Sequence, residues 1–359
     1  MRTQILYLYS EIQSHNLPVL ARLASSHGAL VDVIRWNRDK LTPFTPADMP
    51  GVRFHERSAF DERQLMAFAL ELKPRLVYVS GWMDRGYLPV ARALKAQGSI
   101  IVTGMDSQWT GSLRQQIVAK WVHWQLRKHC FSHAWVPGPM QYEFARRIGF
   151  HKTEILCNLL SGNSDLFHEA ARALSDEKRR HYPKQFLYVG RFAQSKGIDL
   201  LMEAFRIYRT RNRGNWSLTC VGNGPMESEL ARQDNIVVAP YSSQETLVQR
   251  AREAGAFVLA SRDEPWGVVV HEFACAGLPL ILSEHVGARP QFLIDGHNGF
   301  TFFKDSAQDL ADKMSLMSSC TDDQLVRMGE SSARLAASVT PEIAAASLMS
   351  ALRSAIPHG

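Results

Sequence analysis

Residues 186–199 read FLYVGRFAQSKGID, and the organisation of the whole chain follows from that stretch. Phe186–Val189 is a short run of aromatic and aliphatic residues of the kind that forms a buried strand. Gly190-Arg191-Phe192 breaks the run, and Ser195-Lys196-Gly197 leads into a segment of helical period from Asp199 to Arg211. A strand that passes through a glycine-bearing loop into a helix is the repeating unit of a parallel sheet with helices on its faces. A glycine lets the backbone approach a ligand closely. Two cations at a strand-to-helix turn can then pair with diphosphate oxygens, assisted by the helix dipole. Taken alone, the stretch fits a surface turn with two solvated cations equally well.

The same alternation extends in both directions. In the first half, strands are expected at Gln4–Tyr9, Leu30–Ile34, Leu76–Ser80, Ile100–Thr103, Ala134–Val136 and Thr153–Cys157. Helical stretches at Leu17–Ser25, Glu62–Leu72 and Pro89–Ala96 lie between them, with Gly28 and Gly98 placed to stop helices. The second half restarts with strands at Phe186–Val189, Ser217–Val221, Ile236–Val238, Ala256–Ala260 and Pro279–Leu282. Its helices fit Asp199–Arg211, Pro225–Arg232, Gln244–Glu253, Val268–Ala276 and Ala307–Met317. The pattern predicts two doubly wound, Rossmann-like α/β domains, at 1–160 and 185–340. Polar residues and a charged run (Ser175-Asp-Glu-Lys-Arg-Arg180) read as an interdomain linker over 161–184, and a final helix in 341–359 is expected to pack back on the first domain. Doubly wound sheets bind ligands outside the carboxyl ends of their strands, so the loops that follow strands carry the functional reading.

A second cluster, Ser261-Arg262-Asp263-Glu264-Pro265-Trp266-Gly267, precedes the helical stretch that starts at Val268 and contains Glu272. Carboxylates accept hydrogen bonds from paired hydroxyls, so Glu264 and Glu272 suit a sugar and a ribose. The backbone N–H groups at Gly267 and Val268 suit a phosphate at the helix start. The bland reading is an acidic group complementing the helix dipole plus one solvated glutamate. Glu272 argues against it, because it sits among Val268, Val269, Val270, Phe273 and Ala274, where a carboxylate needs a partner. A third cluster, Val221-Gly222-Asn223-Gly224-Pro225, is a weak signal alone. Glu227 stands where the last glycine of a dinucleotide fingerprint belongs, which disfavours nicotinamide binding.

In this order and spacing, Gly190-Arg191…Lys196-Gly197, Gly222-Asn-Gly-Pro225, Glu264…Glu272 and Ala276-Gly277-Leu-Pro279 resemble the retaining GT-B glycosyltransferases of family four. The resemblance covers most of the second half, through Gly287 and Asp295-Gly-His-Asn-Gly299, and includes Cys157-Asn158…Asp165-Leu-Phe167. It implies two Rossmann-like domains facing across a cleft, with a sugar donor bound as UDP-, GDP- or ADP-sugar. By the same resemblance Arg191 and Lys196 neutralise the departing diphosphate, with Glu264 beside the donor sugar and Glu272 on the ribose hydroxyls. Gly190, Gly222, Gly224, Trp266, Gly267 and Val268 complete the donor side. It also implies a site that needs no metal and no cofactor, and the acceptor would be a glycan or a lipid-linked precursor of cell-surface polysaccharide or lipopolysaccharide. The first half departs from the family. Ser10-Glu11-Ile12-Gln13-Ser14-His15 stands where a glycine-rich loop is common, and Thr103-Gly104-Met105-Asp106-Ser107 stands where a histidine is common. Asp106 is therefore the catalytic candidate there, with Glu11 and His15 as acceptor-side candidates, and Pro290-Gln291 replaces a usual Pro-Glu pair.

Composition sets the outer bounds. A chain of 359 residues with 45% apolar and 21% charged residues is globular, and five scattered cysteines without a CxxC pair suit a reducing compartment. The net charge of +6 is modest, and the cations form no nucleic-acid motif. The first apolar run is too short for a signal-peptide core and no stretch is long enough to span a bilayer, so a cytoplasmic protein is expected. Residues 113–133 interleave Arg114, Lys120, Arg127, Lys128 and His129 with Trp121, Trp124, Leu126 and Phe131. Two readings stand for this segment: a basic aromatic helix on the inner, anionic membrane face, or a domain helix whose tryptophans fill the core. Beside the glycosyltransferase reading stand a noncatalytic sugar-nucleotide-binding protein and another activity on the same fold, such as a sugar-nucleotide epimerase.

Overall fold

A computed structural model describes residues 2–10, 12–36, 45–211 and 215–353. The chain divides into two compact units, the first comprising 1–161 with the C-terminal segment from Val339, the second comprising Gly162–Ser338.

In unit 1 the strands are β1 (Gln4–Tyr9), β2 (Leu30–Arg35), β3 (Val52–Glu56), β4 (Leu76–Val79), β5 (Ile100–Gly104), β6 (His133–Trp135) and β7 (Ile155–Leu156). Among the described residues they form a parallel sheet ordered β3-β2-β1-β4-β5-β6-β7. Successive residues of β1 serve opposite faces. Leu6 and Leu8 join Val77, Val79 and Leu94 on one side, while Ile5 and Tyr7 join Val31, Val33 and Leu20 on the other. Burial on both faces is what makes these strands continuous apolar runs and legible in the sequence. The C-terminal helix Pro341–Ser350 sends Ala344, Ala345 and Leu348 into the second of these cores, and Ser347 Oγ donates to the Cys157 carbonyl at 2.6 Å.

Unit 2 repeats the plan with β8 (Gln185–Val189), β9 (Ser217–Val221), β10 (Ile236–Ala239), β11 (Ala256–Leu259), β12 (Leu280–Ser283) and β13 (Gly299–Phe302), ordered β10-β9-β8-β11-β12-β13 and parallel throughout. The order reverses between β8 and β11, which makes their carboxyl ends the topological switch point of this sheet.

The structure departs from the sequence reading at several places, among them the strand β13, the helix Pro139–Ile148 and the helix Asp322–Ala336, which the pattern does not predict. Residues 161–184, expected as a linker, contain the helix Ser164–Arg180, which belongs to unit 2. Its charged run has structural work: Lys178 Nζ is buried and donates to the carbonyls of Ala251 (3.1 Å) and Ala254 (2.9 Å), closing the end of the helix Gln244–Glu253. Phe167, on the same helix, packs against Phe273 at 5.8 Å between ring centroids. The edge strand β3 is missed because its polar residues disguise it. Asp32, fully buried on β2, accepts from Arg53 Nη2 at 2.7 Å and Gln4 Nε2 at 2.7 Å, and lies 2.8 Å from His55 Nε2. Finally, the helix Leu113–Val122 runs on through a wide turn at His123–Arg127 and turns Ala119, Val122 and Leu126 inward. Its tryptophans do not fill the core: Trp121 and Trp124 are 52% and 61% exposed.

Candidate functional site

The loops after β8, β9 and β11 converge at the switch point of unit 2. After β8, the Gly190 N–H donates to the Val221 carbonyl at 3.0 Å and the Phe192 N–H to the Asn223 carbonyl at 2.8 Å, which lays the Gly190–Arg191 turn on the Gly222–Gly224 turn. The contact is backbone on backbone. A Cβ on Gly222 would stand 2.0 Å from the Gly190 carbonyl oxygen, and one on Gly224 2.4 Å from that of Phe192. Glycine is therefore required at both positions for the turns to meet. Arg191 is exposed at the end of β8, and among the described residues it forms no ion pair.

Lys196, five residues beyond Arg191 on the same loop–helix connection, reaches the loop after β11. Its Nζ lies 2.8 Å from Glu264 Oε2, and Ser261 Oγ donates to the same oxygen at 3.1 Å. Glu264 is held by its backbone as well: its carbonyl accepts from the Gly287 N–H at 3.0 Å, and that of Trp266 accepts from the Ala288 N–H at 2.9 Å. The residue that ties the two loops together is Arg262. Its guanidinium makes a two-pronged pair with Asp199 (2.6 and 2.9 Å) and donates to the Gln194 carbonyl at 2.7 Å. It also contacts Asp305. In return the Arg262 N–H donates to the Ser195 carbonyl at 3.0 Å. A planar fork bonded on several sides fixes both loops in one register.

Glu272 lies on the helix Val268–Cys275 and is buried, with 4% of its surface exposed. Gln244 Nε2 donates to its Oε1 at 2.7 Å, and the Asn163 backbone N–H donates to the carboxylate. Burial outweighs those two bonds and pushes its pKa up to about 7. The neighbouring His271 accepts the Gly162 N–H at Nδ1 (2.9 Å) and meets the Ala336 carbonyl at Nε2 (3.0 Å), which selects the Nε2–H tautomer. Its ring stacks on Phe292 at 4.7 Å. Trp266 packs on the same phenylalanine at 5.9 Å and is buried, so its indole stiffens the loop, and Gly267 and Val268 follow at the helix start.

The structure thus brings Lys196 to Glu264, and Gly190 and Arg191 to Gly222 and Gly224. Glu272 sits in a separate polar cluster with Gln244 and Asn163. The sequence reading gives no role to Gln244, Asn163 or the Arg262–Asp199 pair. Those partners lie from 28 to 109 residues from the groups they hold, and no local spacing reveals them. In unit 1, His15 lies in a short turn after β1, where burial pushes its imidazole down to about 4. Asp106 is exposed after β5, two strands away in the sheet, and no hydrogen bond joins the two. Glu11 lies outside the described residues.

Comparison with known proteins places this geometry in context. Residues 171–334 match the family model described as "Glycosyl transferases group 1", a span that includes every donor-side candidate from Gly190 to Glu272. Glycogen synthase of Mycobacterium tuberculosis is 30% identical over 163 residues, covering 43% of this chain and 38% of that enzyme. The chain spans about a third of the length of the curated relatives it matches. Among solved structures, sucrose-phosphate synthase from Thermosynechococcus elongatus superposes with a TM-score of 0.75 at 18% identity, over 98% of this chain and 99% of the other. Anabaena HepE in complex with UDP does so with a TM-score of 0.71 at 14% identity, over 99% and 100%. At those identities the likeness carries the fold alone: two parallel-sheet α/β units of the GT-B class, as the sequence predicts, with a glycosyl transferases group 1 match across most of the second.

Proposed function

We propose that this chain is a glycosyltransferase that moves a sugar from a nucleoside-diphosphate donor to a hydroxyl of a glycan or lipid-linked acceptor, with retention of configuration, in the synthesis of a cell-surface polysaccharide or glycolipid. The observation that carries the reading is the meeting of Lys196 and Glu264, 2.8 Å apart, at the switch point of the unit 2 sheet, with Arg191 exposed at the start of the same loop. That is where a doubly wound sheet binds its ligand.

Glycosyl transfer builds positive charge on the sugar ring and negative charge on the leaving diphosphate. Arg191 and Lys196 supply two cations for the leaving group, and in this reading they make a metal unnecessary. Glu264 accepts from hydroxyls of the donor sugar, and Glu272 from the ribose. A phosphate oxygen of the donor takes the acceptor proton. UDP is the first nucleotide to try, because the similar HepE structure contains it.

The test is a calorimetric titration with UDP, GDP and ADP in metal-free buffer, repeated with Arg191→Ala and Glu272→Gln. One nucleotide should bind, and each variant should lose most of that affinity. No binding by any of the three, or variants that bind as well as the parent, would sink the proposal.

A further inference from the structure

The helix Leu113–Val122 and the turn His123–Arg127 after it are apolar on two opposite sides. Val118, Ala119, Val122 and Leu126 pack into the core of unit 1. Leu113, Ile117, Trp121 and Trp124 point away from it and are 77%, 69%, 52% and 61% exposed. Their spacing puts all four within an arc of about 80° at roughly 100° per residue. Of the twelve large apolar side chains exposed among the described residues, four fall in this segment. Scattered surface apolar residues need no explanation, but a continuous stripe ending in two tryptophans does.

The charge around the stripe says what it fits. No aspartate or glutamate occurs between Asp106 and Glu143. Arg114, Lys120 and Lys128 are exposed beside the apolar residues, and Lys128 Nζ sits 4.1 Å from the centre of the Trp124 ring. Glu154, an acidic contact to the segment from outside it, is neutralised by its pair with Arg127. A protein partner with an apolar face would not require a segment without acids of its own, whereas an anionic lipid surface rewards one. Tryptophan prefers the headgroup boundary, its ring in the acyl region and its N–H in water. The segment is far shorter than the roughly 20 residues needed to cross a bilayer, and no described helix is long and apolar enough to do so. A helix of this kind lies flat at the interface.

We infer that the exposed face of residues 113–128 docks unit 1 on an anionic phospholipid bilayer, with Leu113, Ile117, Trp121 and Trp124 inserted and Arg114, Lys120 and Lys128 paired with lipid headgroups. The surface is independent of the donor site in unit 2, so it stands or falls separately from the proposed activity.

The experiment is co-sedimentation of the full chain with vesicles of phosphatidylcholine alone and of phosphatidylcholine mixed equally with phosphatidylglycerol. Each cation near an anionic surface adds roughly fivefold, so three give on the order of 100-fold tighter binding to the mixed vesicles. The preference should fall steeply with added salt. It should be abolished by Lys120→Glu with Lys128→Glu, and binding should be lost in Trp121→Ser with Trp124→Ser. Both double variants should keep the parent's far-ultraviolet dichroism and melting temperature, which shows that they fold. Equal binding to the two vesicle types, no binding by the parent, or folded variants that bind like the parent would each overturn the inference. So would a parent that sediments as a dimer, ignores vesicles and becomes monomeric in the tryptophan variant, since a second copy then covers the stripe.

Discussion

Replacing Glu272 by glutamine should remove a pH-dependent penalty from the stability of the fold. In the native chain burial holds this carboxyl protonated up to about pH 7, while in the unfolded chain it ionises near its ordinary value of 4.5. Between those values the native state binds the extra proton, so stability falls as pH rises through the window and is level above it. The rise from 4.5 to about 7 corresponds to about 3 kcal/mol in all. Of this, about 2 kcal/mol accumulates between about pH 5.5 and about pH 8, where the protein is convenient to handle. Glu272→Gln keeps the shape and cannot ionise. The assay is denaturant unfolding of parent and variant across that range, with the difference in unfolding free energy plotted against pH. The variant should gain on the parent by about 2 kcal/mol from the acid to the alkaline end. Parallel curves would show that Glu272 ionises in the folded protein as it does in water, and that the Gln244 and Asn163 contacts suffice to solvate it. If Glu272 holds a ribose in the proposed manner, nucleotide affinity of the parent should also rise with pH through about 7, because hydroxyl donors favour the ionised form.

Three further outcomes follow from the same geometry. Arg262→Lys keeps the charge but loses the two-pronged contact with Asp199, so nucleotide affinity should drop about tenfold while the fold survives; an unchanged calorimetric Kd would show that the loops after β8 and β11 hold their register without it. Lys196→Ala should lower turnover with the working donor by on the order of 100-fold or more, since it removes one preorganised cation from the leaving group, and a loss of less than about threefold would remove Lys196 from the chemistry. Gly222→Ala forces a Cβ to within 2.0 Å of the Gly190 carbonyl oxygen, and it should cost about 1–3 kcal/mol of stability; an unfolding midpoint equal to the parent's would contradict the close approach of the two turns.

The contrast between what the sequence discloses and what it hides is sharpest in unit 2. β8 and β9 are buried on both faces, and the glycine turns after them follow from local residue types, so Gly190, Lys196, Gly222 and Glu264 can be found by reading along the chain. Glu272 stands out for the same reason, a carboxylate in an apolar helix. β3 escapes because its polar residues answer to Asp32 on the neighbouring strand rather than to its own neighbours in sequence. The helix Asp322–Ala336 escapes although Thr321 and Gln324 spell a capping box at its start, a signal that could have found it. The helix Ser164–Arg180 reads as a linker because a lysine that caps a distant helix end looks, in sequence, like any solvated charge.

The sequence by itself determined the alternation of strands and helices, the division into two doubly wound halves, and the loops that carry cations and carboxylates, because period, turn chemistry and strand-end glycines act over a few residues. Only the tertiary structure decided that Lys196 pairs with Glu264, that Arg262 locks both loops through Asp199, that Gln244 and Asn163 hold Glu272, and that Trp121 and Trp124 face outward. Those relations depend on which segments the sheet order brings side by side and on which face of a helix finds the core, and neither is encoded in the spacing of residues along one strand or one turn.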